Sequence, residues 1–128
     1  MGLYCYITLP DESVELSNDM ITVFNKICPD FIFQNTVSFR GKIIDFLIET
    51  ITLETLYKSL NTNTLSNMYQ KMNTFIQRDE HEINKDIRTF INNHEDVPYK
   101  CAISIEDLKM YSEIFKICSE NNLHIEPC

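Results

Sequence analysis

Apolar residues recur at spacings of three and four along most of this chain, and no other feature of the sequence restricts its fold so strongly. Leu65, Met68, Tyr69, Met72, Phe75 and Ile76 make the clearest such stripe. Ile83, Ile87, Phe90 and Ile91 make another, and Leu108, Tyr111, Ile114, Phe115 and Cys118 a third. A period near 3.6 places these side chains on one face of a helix, and that face has to be buried against another element. The pattern therefore predicts a mostly α fold.

The remaining segments fill in a chain of about six helices with at most a small β element. Met20, Val23, Phe24 and Ile27 follow the capping residues Ser17-Asn18-Asp19 and stop at Cys28-Pro29, because the residue before proline is driven out of helical geometry. From Ser38, Phe39, Ile43, Phe46, Leu47 and Ile51 predict another helix, and Leu53, Leu56, Tyr57 and Leu60 a short one opening at Thr52. Asn61-Thr62-Asn63-Thr64 reads as a loop rich in N-caps, and Ser104-Ile105-Glu106-Asp107 resembles a capping box. Asn121-Asn122 closes the final helix. Strand signals are short: Leu3–Leu9, a terminal Leu123-His124-Ile125, a brief Cys101-Ala102-Ile103, and Phe31-Ile32-Phe33, which reads as a strand or an apolar loop.

With 128 residues, 44% hydrophobic and 23% charged, the chain suits one domain spanning residues 1–128 with a core of its own. Its net charge of −8 repels phosphate backbones, so direct nucleic-acid binding is not expected. Gly2 and Gly41 are its only glycines, which excludes a glycine-rich phosphate loop and a dinucleotide fingerprint.

Five cysteines, Cys5, Cys28, Cys101, Cys118 and Cys128, make an odd and widely spaced set without a Cys-x-x-Cys pair. That pattern fits reduced, buried thiols better than a disulfide framework or a zinc finger. The N-terminus has neither a basic region nor an apolar stretch of signal-peptide type, and no apolar run approaches the ~20 residues of a membrane span. A cytoplasmic protein without membrane contact is expected.

Candidate chemistry is sparse. His81 stands between two glutamates, His94 in a polar stretch and His124 near the end of the sequence. A Cys118/His124 pair is the kind of nucleophile and base that covalent catalysis requires, yet nothing in its spacing singles it out. His81-Glu82-Ile83-Asn84-Lys85 is no zincin motif, since lysine stands where the second histidine belongs, and no calcium-loop pattern is present. No catalytic residue, metal ligand or cofactor is expected.

The best candidate surface is acidic. Asp79, Glu80, Glu82, Asp86, Glu95 and Asp96 stand against only Lys85 and Arg88 over residues 79–96. Such a surface speeds encounter with a basic partner, and Tyr99 and Tyr57 are candidate apolar anchors beside it.

Phe39-Arg40-Gly41-Lys42, followed by Ile51 to Leu60 with its Leu56-Tyr57, resembles a Phe-Arg-Gly-Lys…Leu-Tyr pattern of small bacterial proteins, and Ile105 to Leu123 is similar to their closing helix. Some of these proteins are similar to immunity proteins encoded beside contact-dependent growth inhibition toxins. The resemblance implies a cytoplasmic toxin inhibitor that blocks a basic nuclease domain, and implies no enzyme. Two other expectations compete with it. One is a phage- or virus-encoded inhibitor or adaptor of another host protein, and the other a Cys- or metal-dependent enzyme.

Overall fold

The computed structural model describes residues 2–9, 16–27, 36–40, 43–93 and 103–127. The fold is mostly α with one small antiparallel sheet. Its elements are β1 (Gly2–Thr8), α1 (Asn18–Ile27), β2 (Thr36–Arg40), α2 (Ile43–Phe46), α3 (Thr62–Ile76), α4 (Glu80–Asn93), α5 (Ile105–Glu120) and β3 (His124–Pro127). α2 runs on into a π-helical turn, Leu47–Thr52.

β1 is the central strand, with β2 antiparallel on one side and β3 antiparallel on the other. Side chains alternate across a strand, so Cys5 and Ile7 of β1, Val37 and Phe39 of β2 and Ile125 of β3 are buried together while Tyr6 is exposed. The registers Cys5↔Val37 and Ile7↔Ile125 put those residues side by side on the inner face. Both backbone hydrogen bonds on the far edge of Ile125 go to Leu60, at 2.8 and 3.0 Å, so this part of the sheet edge is covered.

α5 is the spine of the domain. Leu108, Tyr111, Ile114, Phe115 and Cys118 are all buried along it. One side meets the sheet through Phe39, which stacks on Tyr111 at 4.7 Å and on Phe115 at 6.2 Å between ring centroids. Another side packs along α3, whose Leu65, Met68, Met72 and Phe75 are buried, and α1 adds Phe24 to the same core. α4 joins through Phe46 of α2, which meets Phe75 of α3 edge-on at 5.9 Å and Phe90 of α4 at 5.1 Å. One continuous apolar cluster results.

Caps set the helix ends where the sequence places them. Ser17 Oγ accepts from the Met20 N–H, Asn61 Oδ1 from Thr64 and Ser104 Oγ from Asp107. α5 ends at Glu120 with Asn121 as its C-cap, and the next residue, Asn122, takes left-handed geometry (φ 53°) while the Leu123 N–H reaches back to the Cys118 carbonyl at 2.9 Å. This is the Schellman arrangement that an Asn-Asn pair favours.

Three expectations need correction. Phe39 belongs to β2, not to a helix opening at Ser38, because Val37 and Phe39 alternate into the core and their backbone pairs with β1. α3 opens at Thr62 with Asn61 as its extended cap, so Thr62–Thr64 of the expected loop are already helical. The short helix over Thr52–Leu60 does not form. Leu56 and Leu60 are buried but Leu53 and Tyr57 are exposed, and Leu60 gives its backbone hydrogen bonds to β3. The brief strand at Cys101-Ala102-Ile103 falls partly outside the described residues, with Ile103 unpaired coil, and the Phe31–Phe33 segment lies wholly outside them.

Candidate functional site

Four of the acidic candidates fall on or next to α4, whose apolar residues Ile83, Ile87 and Phe90 all turn inward. Asp79, Glu80 and Glu82 are therefore exposed, and Asp86 is half-buried at the edge of that face. Much of their charge is already in use. The Asp79 carboxylate accepts the His81 N–H at 2.8 Å and caps the helix. Asp86 takes the Arg78 guanidinium at 2.7 Å, and Glu82 stands 3.6 Å from the same group. Among the described residues Glu80 alone of the four has no ion pair or side-chain hydrogen bond. Glu95, Asp96 and Tyr99 lie outside the described residues. Tyr57 is 62% exposed, as a surface anchor requires.

The structure adds a feature that residue spacing did not reveal. The π turn Leu47–Thr52 packs against α3, and between them runs an open groove of about 540 Å³. Buried Thr52 organises the groove's end. Its hydroxyl donates to the Leu47 carbonyl at 2.9 Å and accepts the Glu54 N–H at 3.3 Å, while its carbonyl accepts Lys71 Nζ at 3.0 Å. Leu53, immediately after, is left-handed (φ 57°, ψ 22°) and 70% exposed. Left-handed geometry costs a β-carbon residue roughly 1–2 kcal/mol, and a helix ending this way normally carries glycine.

Arg78 connects the groove to the acidic face. It lines the groove's far end, lies 5.2 Å over the Phe75 ring and holds Asp86 and Glu82 of α4. A smaller hollow of about 400 Å³ continues past Thr50 to Asp86 and Phe90. Leu53, the groove, Arg78 and the α4 acids thus follow one another around the molecule.

Among the described residues the catalytic alternatives gain no geometry. Cys118 is fully buried, and burial pushes its thiol well above the ordinary range, which keeps it protonated and poorly nucleophilic. Cys5 is likewise a buried thiol. Among the described residues no group of three or more His, Cys, Asp or Glu side chains is placed to hold a metal ion. No helix among them is long and apolar enough to cross a membrane. Comparison of the chain with protein-family models, with curated proteins and with solved structures returns no match.

Proposed function

We propose that this protein acts by binding rather than by catalysis, as a small acidic cytoplasmic immunity protein that docks on a basic toxin domain and covers its substrate-binding cleft. The observation that carries this reading is the segregation of α4: three apolar residues inward, and Glu80, Glu82 and the capping Asp79 outward, on a helix fixed to the core by Phe90. Fixed carboxylates of this kind meet the Lys and Arg side chains with which a nuclease holds phosphate, and they carry no bond that can be cleaved. Glu80, with no internal partner among the described residues, contributes the most to long-range attraction. Exposed Leu53 and Tyr57 supply apolar contact that acids do not. The resemblance of Phe39–Leu60 and Ile105–Leu123 to immunity proteins points the same way.

The test begins with a pull-down from the source cell, followed by kinetics on the captured partner. Glu80→Gln with Glu82→Gln, and Asp79→Asn, which keeps a capping oxygen, should slow association most at low salt, where charges act over the longest distance. Association that is unchanged and insensitive to salt would exclude α4 as the steering surface.

A further inference from the structure

We propose that the groove between the π turn and α3 binds an extended, acidic peptide segment of a protein partner. This goes beyond the steering role of α4 and does not depend on it. The α3 wall of the groove extends from Thr64 to Phe75, with Arg78 just beyond the helix. At 1.5 Å per residue these eleven steps cover ~16 Å, the length of roughly five extended residues at ~3.3 Å each. That is long for a compact small molecule and suitable for a strand. Phe75 offers apolar contact at the floor, Met68 is fully buried and only backs it, and the wall carries Asn67, Gln70 and Lys71.

The hydrogen-bonding state of those wall residues indicates the occupant. The side-chain amides of Asn67 and Gln70 have no partner among the described residues, so each presents a donor and an acceptor to whatever lies in the groove. An extended backbone offers the complementary pair at every residue. Charge then selects the side chain. The other charged groups lining the groove already have partners: Glu54 pairs with Lys58 at 2.9 Å, and Arg78 pairs with Asp86 and Glu82. Among the described residues Lys71 bonds only the neutral Thr52 carbonyl and has no carboxylate within ion-pair distance. In a chain of net charge −8 that is an uncompensated cation, and a carboxylate on the bound segment answers it.

The experiment is a selection from a phage-displayed library of random heptapeptides on the immobilised full chain. Enriched peptides are then synthesised and their affinities measured by fluorescence anisotropy. Enriched sequences should carry an Asp or Glu beside an apolar residue. Replacing that acid by its amide should weaken binding about ten-fold, the ordinary worth of one charge-assisted hydrogen bond. Lys71→Met should cost the same and Lys71→Arg far less. Asn67→Ala with Gln70→Ala leaves the Lys71–Thr52 bond untouched and should also weaken binding, which separates loss of contact from distortion of the groove. The proposal is overturned by failure to enrich any peptide above a blank support, by enriched peptides without an acidic preference, or by affinities indifferent to these variants.

Discussion

The outward face of α4 and the groove beside α3 use similar side chains in opposite ways. On α4 a row of acids is conspicuous in the sequence, yet Asp79 caps its own helix and Glu82 and Asp86 are occupied with Arg78. In the groove no charge run exists, yet among the described residues Lys71, Asn67 and Gln70 keep open charge or hydrogen-bonding capacity toward solvent. A count of charged residues therefore overstates what one surface offers to a partner and understates the other. Capacity for recognition depends on which polar groups remain unsatisfied by the fold itself.

The most severe way to break this contrast is to remove the residue both regions depend on. Phe46 meets Phe75 beneath the groove and Phe90 of α4. Phe46→Ala should cost about 3–5 kcal/mol, read as a lowered midpoint in urea unfolding, and should disturb both surfaces at once. A loss below about 1 kcal/mol would mean that the two regions are anchored separately.

Thr52→Val is aimed at the groove alone. The isosteric change deletes the hydroxyl that serves both Leu47 and Glu54, and a loss of roughly 1–3 kcal/mol is expected because buried backbone groups are left unpaired. Amide exchange should accelerate over Leu47–Thr52 and not over α4.

Leu53→Gly sharpens the comparison with the opposite sign. Glycine takes left-handed geometry without the β-carbon penalty and loses little packing at an exposed position, so stability should hold or rise by up to about 1 kcal/mol. If apolar contact at Leu53 serves the proposed partner, the same variant should bind it less tightly.

The smallest effect belongs to Arg78→Met. Its ion pairs are exposed, and their loss should lower stability by less than about 1 kcal/mol. The variant frees Glu82 and Asp86, so it should make association with a basic partner faster at low salt. No change in rate would show that those carboxylates do not face the partner.

The helical part of the fold was legible because α3, α4 and α5 each hold one long apolar stripe, and a stripe with ten or more residues to establish its period leaves little choice. Shorter segments failed where two periods overlap. Phe39 and Ile43 stand four apart, yet Val37 and Phe39 also alternate, and pairing with β1 decided for the strand. Leu53, Leu56, Tyr57 and Leu60 carry helical spacing too, but Leu60 is held by Ile125 and Thr52 by Lys71, so tertiary hydrogen bonds overrode the local pattern. The acidic face could be recognised because its members are neighbours in sequence. The groove could not, because Thr52 and Lys71 are unremarkable until a π turn packs against α3.

The pairing of β1 with β3 sets a timetable for synthesis. Ile7 lies opposite Ile125, and the central strand keeps one edge unpaired until residues more than a hundred positions later have been made. At the ~5–20 residues per second of translation, that delay is on the order of ten seconds. The helices can collapse on one another within this interval through nearer contacts, but the sheet is closed last. Nascent chains stalled between α5 and β3 should therefore show α-helical protection from proteolysis while β1 is still cleaved, and extension through Pro127 should abolish that cleavage.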